Sequence, residues 1–574
     1  MKFGQLDINP AQNPGILDTG TWDVTRVRDV WRSIKAQDLA ELARYAQKGQ
    51  LPESCAGLRI YPGSLGKTQT GAVYLAGFDD GQCAFIECVG PGASPVLNEP
   101  VAETLIDTGG RIICHAASMA TIHEYTRRVC PHKGPRALGG VPRLGIGVRM
   151  TTSCWPGIFQ VMTRRGLAAN PIQNSIRELN TMATLLEARP AERNYACGFG
   201  TIECGYTGSS FEGLWVSGVL AAIKHPGDLV YGADADHIQV KRGPEGLARA
   251  KRYLDCSRYY SFYTLDMADV LDYTALKSES VGRERLERVV SSDQTRRDLI
   301  GYYAERRRIG GREWSFDESS LGRLMGKYGA ALEVVEQLTA YLRQLKGDEP
   351  FDLELSIDEH PPEVAAFDCL TTDEEVAFLG LEIRRRGLAV THLAPNFGVE
   401  KGLDYRCPDG LAGLEARIRS QFALCDELGL LLDFHSGDDL TGEPRRVIQK
   451  ATNGRHQFKI SPMLQILFAR VLERHHPALF EPWWSDALDY ARREAAGGAA
   501  FAQSCLADYE SDPKTGPRST TKVFHHYSFA FVGRRDAAGR FLHRERFYNL
   551  PAAFYQAYQD ELVSYLNRLA DELF

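Results

Sequence analysis

Short apolar runs alternate with amphipathic stretches along the chain from about residue 140 onward. Eight of the runs predict strands, and most are followed by a helical pattern, as at 374–386 and 411–428. The predicted strands are 143–148, 171–176, 230–237, 259–265, 351–359, 388–393, 430–435 and 457–460. Eight strand–helix alternations favour a TIM-type (β/α)8 barrel, an α/β fold, over a doubly wound sheet built from the same units.

The first 135 residues follow a different pattern. A polar helical stretch at 27–47 precedes four short apolar runs that Gly, Pro and Asp residues separate. These runs are 57–61, 72–76, 84–88 and 111–114. We therefore expect a smaller N-terminal α/β domain over residues 1–135 and a barrel domain over 136–574.

Two amphipathic segments are longer than the predicted barrel needs. Residues 271–350 exceed a single connection between strands, and they contain an apolar stripe that predicts a helix capped by Asp317 and ended by Gly347. A second stripe, between Phe554 and Leu573, predicts a C-terminal helical extension. Such stripes are typical of helices that dock on their own domain, with a homo-oligomer contact as the alternative.

Composition and charge narrow the class of partner. The chain has 574 residues, of which 44% are hydrophobic and 25% charged, as in ordinary globular proteins. A net charge of −7 gives no basic field for nucleic acid, and no apolar run has the length of a membrane span or of a signal-peptide core. The 13 cysteines never form a CxxC pair, which favours reduced thiols. We expect a cytoplasmic protein that binds a small molecule and neither nucleic acid nor membrane.

Polar side chains recur where the predicted strands end. A TIM-type barrel builds its active site at the carboxyl ends of its strands, so these residues are the candidates for chemistry. They are Gln173, Asn174, Arg177, Asp234, Asp236, His237, Asp266, Asp358, Glu359, His392, Asn396, His435, Ser436 and Asp438.

The segment 231–237, Tyr-Gly-Ala-Asp-Ala-Asp-His, is the densest of these groups. Asp beside His is typical of a metal ligand, a general base or an Asp that orients its own His, whereas the structural alternative is a turn with helix-capping Asp residues. Side chains alternate along a strand, so Asp236 and His237 face one pocket only if the strand ends there.

Several segments together resemble the D-tagaturonate/D-fructuronate epimerase family of bacterial hexuronate metabolism. The segments are 231–237, 351–359, 384–387, 400–404, the His-Ser-Gly run from His435, and Lys459. Their order and approximate spacing match from about residue 140 to the end. The resemblance implies an epimerase of ketohexuronates that needs a divalent cation such as zinc, manganese or nickel. It implies Asp236 as general base, Glu359 as general acid, and His237 and His435 as metal ligands.

Epimerisation breaks and remakes bonds at one carbon from opposite faces, which requires two acid/base groups and an electrophile for the substrate oxygens. The two ketouronates differ at a carbon β to the keto group, where simple enolisation gives no acidity. Either a metal-assisted retro-aldol cleavage with rotation or a relay through an enediol meets this difficulty.

The chain departs from the family pattern at two places. After His-Ser-Gly the family has Ser-Asp-Lys, whereas this chain has Asp438-Asp439-Leu440 and so lacks a cation. Arg177 and Lys459 remain as expected partners of the substrate carboxylate, with Gln173 and Asp234 as further substrate-binding residues.

The second departure concerns the third metal ligand. The family has His-x-Lys, whereas here Gln457 stands two residues before Lys459 and the histidine is His456. A displacement by one residue turns a side chain to the opposite face of a strand. We expect a bulge that returns His456 to the pocket as third ligand, and the alternative is the amide oxygen of Gln457.

Three other functions stay open from the sequence. An epimerase or isomerase of another ketose fits the same residues. A metal-dependent hydrolase uses similar His and Asp sets with a metal-bound water as nucleophile. A sugar-binding relative without catalysis is the third.

Overall fold

The computed structural model describes residues 2–3, 6–7, 24–79, 81–107, 109–175, 181–183, 193–196, 200–203, 210–277, 282–358, 366–400, 403–435, 437–512, 514, 516–538 and 540–574. In these residues the strands are β1 (Lys2–Phe3), β2 (Leu6–Asp7), β3 (Ser54–Cys55), β4 (Leu58–Lys67), β5 (Gly71–Gly77), β6 (Cys83–Val89), β7 (Pro100–Leu105), β8 (Arg111–Ala116), β9 (Arg143–Gly147), β10 (Ala169–Ser175), β11 (Arg193–Ala196), β12 (Gly200–Glu203), β13 (Tyr231–Gln239), β14 (Phe262–Asp266), β15 (Arg307–Ile309), β16 (Arg312–Trp314), β17 (Asp352–Ser356), β18 (His392–Ala394), β19 (Leu431–Phe434) and β20 (Gln457–Ile460). The α-helices are α1 (Val24–Ser33), α2 (Ala36–Lys48), α3 (Met119–Arg128), α4 (Trp155–Arg165), α5 (Phe211–Lys224), α6 (Gly243–Cys256), α7 (Gly282–Val289), α8 (Asp293–Ala304), α9 (Glu318–Lys346), α10 (Asp373–Arg386), α11 (Gly410–Leu428), α12 (Gly442–Thr452), α13 (Pro462–His475), α14 (Pro477–Ala496), α15 (Ala500–Ser511), α16 (Lys522–Tyr527), α17 (Arg544–Tyr548) and α18 (Ala552–Leu573).

Eight parallel strands close into a barrel in the order β9, β10, β13, β14, β17, β18, β19, β20 and back to β9. Helices follow most of the strands and cover the outside, so the predicted TIM-type fold is confirmed. Each of the eight predicted strands overlaps one strand of the barrel.

The N-terminal sheet is antiparallel, with six strands in the order β3, β4, β5, β6, β8, β7. Its central strands β5 and β6 are buried on both faces. Tyr74 and Ile86 pack in a cluster with Leu39 and Leu42 of α2, whereas Phe85 on the opposite face joins the core of the barrel. Burial on both sides explains why β6 is apolar along most of its length.

The long helix α9 docks on the outside of the barrel, as its apolar stripe predicts. Asp317 caps it by accepting a hydrogen bond from the backbone N–H of Ser320 at 2.7 Å, and Gly347 ends it with a φ of 59°. Lys327 donates to the buried Glu375 of α10 at 2.6 Å. This ion pair joins the insertion to the helix that follows β17.

The C-terminal helix α18 covers the seam where the barrel closes. It packs on α4 and α13, the helices that follow the first and last barrel strands. Leu562 and Leu569 lie in the buried stripe, and Gln559 donates to the carbonyl of Ser153 at 2.7 Å. None of the described helices has both the length and the apolar character that a membrane crossing requires.

The amino end of the barrel is closed by a buried ion pair. Arg143 donates to Asp352 at 3.0 Å, and Asp352 also accepts from the backbone of Leu138 and Gly139. His392, expected at the carboxyl end of a strand, instead begins β18 and packs edge-on against Phe262. Polar residues therefore fill the barrel from its closed end toward the opposite mouth.

Candidate active site

Strand β13 presents two expected site residues side by side because its register slips. Against β14, Ala235 pairs with Tyr263 and Ile238 pairs with Leu265, so three steps of β13 span two steps of its neighbour. This β-bulge holds Asp236 and His237, and His237 has a φ of 47°, which non-glycine residues rarely adopt. Side-chain alternation predicted that Asp236 and His237 share a pocket only if the strand ends there. The strand instead continues to Gln239, and the bulge brings both side chains to one pocket.

Lys459, in the regular strand β20, lies at the centre of the barrel interior. Its ammonium group is 2.6 Å from the Thr264 hydroxyl and within 3.5 Å of four carboxylates, and the residue is 3% exposed. The carboxylate distances are 2.7 Å to Glu354, 2.9 Å to Asp236, 3.1 Å to Asp234 and 3.5 Å to Asp433. We call these six residues the Lys459 cluster. Five barrel strands contribute to it.

The cluster continues to His435 at the mouth of the barrel. His435 Nε2 lies 2.7 Å from Glu354 Oε1 and 3.8 Å from Asp433 Oδ2, and Nδ1 lies 3.1 Å from Asp358 Oδ2. The ring of His237 is 4.7 Å from the ring of His435. The two histidines expected to share a metal ion are therefore neighbours.

The charges of the cluster differentiate its carboxyl groups. Burial raises the pKa of Asp236, but Lys459 and then His237 outweigh burial, so its pKa lies below the usual range. Burial raises the pKa of Asp234 well above the usual range despite Lys459, and the neighbouring Asp236 raises it further. Lys459 and His237 therefore favour the carboxylate form of Asp236, which can accept a proton, whereas burial favours the neutral form of Asp234.

The structure does not turn His456 into the pocket, as its expected role of third metal ligand requires. Strand β20 pairs with β19 and β9 without a register shift, so no bulge turns His456 inward. Its ring stacks on Phe574 at 5.1 Å, outside the barrel, and Nδ1 lies 2.8 Å from the Thr452 hydroxyl. Gln457 faces the interior instead, where its amide nitrogen donates to Asp433 at 2.8 Å.

The substrate-binding candidates lie in different places. Lys459 was expected to bind the substrate carboxylate, but four carboxylates of the protein already surround its ammonium group. Asp234 is fully buried and accepts a hydrogen bond from the Thr264 hydroxyl at 3.1 Å, so it is enclosed in the cluster. Arg177 and Glu359 lie outside the described residues.

Gln173 reaches the same interior space as Lys459. A Cβ atom on Gly145 would lie 2.3 Å from Gln173 Oε1 and 2.8 Å from Lys459 Cγ. The missing side chain at Gly145 therefore makes room for both residues. Gln173 Oε1 is buried without a hydrogen-bond partner among the described residues, which leaves an acceptor inside the barrel.

Sequence reasoning missed Glu354 and Asp433. Glu354 lies between Leu353 and Leu355, and Asp433 follows Leu432. The apolar neighbours predict only a buried strand at each position. The signal that identifies them is an acidic residue in the middle of a strand expected to be buried on both faces, since a carboxylate there needs a cation or a metal.

The two Asp residues after His-Ser-Gly have structural partners. Asp438 accepts hydrogen bonds from the backbone N–H of Ser461 at 2.9 Å and of Met463 at 2.6 Å, so it caps α13. Asp439 Oδ1 lies 2.7 Å from His525 Nε2. These two acidic residues therefore hold α13 and α16 at the barrel mouth, and Leu440 stands where the family has its cation.

Three side chains of the site form a donor set that a metal ion fits. Glu354, Asp433 and His435 each offer one ligand atom, and these atoms lie within 4.8 Å of one another. Asp433 Oδ1 is buried and has no hydrogen-bond partner among the described residues. In the adjoining cluster, four carboxyl groups share the single ammonium group of Lys459. Oxygen and imidazole ligands together suit a divalent cation, without selecting zinc, manganese or nickel.

Comparison with known proteins identifies one protein family and several similar solved structures. The profile of the tagaturonate epimerase family, UxaE, matches residues 203–571. The native structure of fructuronate-tagaturonate epimerase UxaE from Cohnella laeviribosi is similar to this chain with a TM-score of 0.62 and 20% identity, over 94% of this chain and 99% of that one. Its complex with one glycerol has a TM-score of 0.63 with the same identity and coverage. No curated protein sequence matches the chain.

Proposed function

Because the chain belongs to the tagaturonate epimerase family, we propose that it is a hexuronate epimerase that interconverts D-tagaturonate and D-fructuronate with the help of a divalent cation. Membership makes it an enzyme of the isomerase class. One observation carries the proposal: the segment that matches the family, residues 203–571, contains every side chain of the Lys459 cluster.

Asp236 is the proposed general base. Its ionised carboxylate lies 2.9 Å from Lys459, whose ammonium group fixes the direction in which one oxygen points. Glu359 is the proposed general acid, by its position in the segment that resembles the family. Asp236 lies in β13, whereas Glu359 follows β17 in the sequence, and epimerisation requires two such groups to transfer protons on opposite faces of a bound sugar.

Glu354, Asp433 and His435 are proposed to hold the cation. A divalent ion bound there supplies an electrophile that polarises substrate oxygens. In the retro-aldol route, Asp236 takes the proton of a substrate hydroxyl and the adjacent C–C bond breaks to give an enolate and an aldehyde. After the aldehyde has rotated, the same C–C bond re-forms on its other face and the proton returns to the oxygen. In the enediol route, Asp236 takes protons that are bonded to carbon.

The direct test is conversion of each ketouronate into the other by the purified protein. We expect turnover with D-fructuronate and with D-tagaturonate, its loss after treatment with a chelator, and its recovery when Zn²⁺, Mn²⁺ or Ni²⁺ is added. No conversion of either sugar with any of these ions would refute the proposal. A reaction that the chelator leaves unchanged would refute metal dependence alone.

The same reaction in D₂O distinguishes the two routes. The enediol relay places solvent deuterium on carbon in the product, because the carbon-bound proton passes through the base. Retro-aldol cleavage with rotation leaves the carbon-bound hydrogens in place. Mass spectrometry of the product detects the difference.

We further propose that a ketouronate is preferred to the neutral ketose. Since the cluster compensates Lys459, this preference depends on Arg177, the other cation expected to bind the substrate carboxylate. D-fructuronate should exceed D-fructose in kcat/KM, and Arg177→Gln should narrow that ratio. Equal specificity constants for the two sugars would contradict the assignment.

A further inference from the structure

Lys459 and the proposed metal ion require the same carboxylates. The ammonium group lies 2.7 Å from Glu354 Oε2 and 3.5 Å from Asp433 Oδ2, and these are two of the three residues that form the donor set. Glu354 is shared most closely, since its other oxygen lies 2.7 Å from His435 Nε2. The ammonium group of Lys459 therefore already contacts the side chains that are proposed to bind the divalent ion.

The ammonium group is fixed in this position. The Thr264 hydroxyl lies 2.6 Å from the ammonium nitrogen, and carboxylate oxygens of Asp236 and Asp234 lie at 2.9 Å and 3.1 Å. The side chain is 3% exposed, so it cannot exchange its carboxylate partners for water without opening the barrel. The ion must enter with Lys459 in place.

Two cations held by shared carboxylates repel each other, and the repulsion is strong where water is excluded. The same ammonium group holds Asp236 next to the donor set. We propose that Lys459 is a positioning residue that lowers the affinity of the Glu354–Asp433–His435 group for a divalent ion while it holds Asp236 beside that group. This inference rests on the proposed function, since it takes that group as the ion's site.

Affinity for Mn²⁺, measured by calorimetry on metal-free protein, tests the inference without any turnover. Lys459→Met removes the charge and keeps most of the volume. Lys459→Met alone leaves buried carboxylates uncompensated, whereas the double variant Lys459→Met/Asp236→Asn removes one positive and one negative charge together. The main comparison is therefore the double variant against Asp236→Asn, since these two differ only at Lys459. We expect the double variant to bind Mn²⁺ at least about tenfold more tightly than Asp236→Asn.

Lys327 provides a matched control. It is also a buried lysine, 2.6 Å from Glu375, but it lies in α9 outside the barrel. Lys327→Met should lose stability and keep its Mn²⁺ affinity within about twofold, because its charge is far from the donor set. A comparable gain of affinity in Lys327→Met would show that loosening of the fold, and not the missing charge, caused the effect, and would overturn the inference.

Turnover at saturating Mn²⁺ tests the positioning of Asp236. Lys459→Met should lose kcat with little change in KM, and Lys459→Arg should recover part of the loss because it restores a cation beside Asp236. Unchanged or weaker Mn²⁺ binding in the double variant overturns the inference. So does a native protein that binds no Mn²⁺, whereas conversion of D-fructuronate by that protein would leave the proposed epimerase activity standing.

Discussion

Replacement of Asp236 by Asn separates the acid/base chemistry from the fold. The substitution keeps the size of the side chain but removes the group that accepts a proton. Lys459 retains Glu354 at 2.7 Å and Asp234 at 3.1 Å, so its ammonium group is not left unpaired. We therefore expect the free energy of unfolding to change by only about 1 kcal/mol, well below the 3–5 kcal/mol typical of a broken buried pair.

Loss of a general base costs about 10²–10⁴-fold in rate, which corresponds to about 3–5 kcal/mol of transition-state free energy. The assay is initial-rate conversion of D-fructuronate at saturating substrate and metal, with product separated by chromatography. Denaturant unfolding of the same preparation reports on the fold. A kcat within tenfold of the native enzyme would refute the role of Asp236.

Glu382 supplies the control for burial. Its carboxylate is as buried as that of Asp236 and accepts from Tyr303 at 2.6 Å and from Arg385, but it lies in α10 outside the barrel. Glu382→Gln should lower the unfolding free energy and leave kcat unchanged. If Glu382→Gln lost activity as strongly as Asp236→Asn, the loss would reflect damage to the fold.

Three further predictions concern the outer parts of the site and the fold. His456→Ala should keep its metal content and lose about 2–4 kcal/mol of stability, because the ring packs against Phe574; metal loss in this variant, with none in Gln457→Ala, would contradict the assignment of faces. Asp438→Ala should lower the unfolding free energy by about 1–2 kcal/mol because it removes the cap of α13, and Asp438→Asn should recover most of it; equal losses would contradict the capping role. Burial raises the pKa of Glu349, but His123 and Lys346 outweigh burial and lower it to about 2, so its stabilising effect is present above pH 4.5 and lost as pH falls toward 2. After allowance for its partial exposure, Glu349→Gln should remove about 2 kcal/mol near neutral pH and flatten the acid limb of the stability curve; an unchanged acid limb would contradict the assignment.

The sequence was sufficient to locate the barrel strands, because most of them are short runs rich in apolar side chains between Gly, Pro or polar residues. The last strand matches its predicted range, Gln457–Ile460. Sequence also predicted that Asp236, His237 and His435 meet at one end of the barrel, and the structure brings these three side chains together. These predictions depend on local pattern, which the tertiary structure leaves intact.

The errors have one physical origin. A bulge was expected in β20, at His456, whereas the structure has it in β13, at His237. Side-chain alternation places neighbouring residues on opposite faces of a strand, so two of them share a pocket only where a β-bulge forms. The pairing with adjacent strands decides where the bulge forms, and the sequence of one strand does not contain that information. The partners of Lys459 were missed for the same reason, since they meet across the barrel from strands far apart in sequence.

The ionic interior of the barrel restricts how the sequence can change. Barrels with aliphatic interiors accept many single replacements, since one apolar side chain substitutes for another. Here a single replacement at Lys459 or Glu354 leaves the remaining members with an uncompensated charge, so acceptable changes occur in pairs. Divergence toward new sugars is therefore expected to proceed through the loops, while the interior is inherited as a unit.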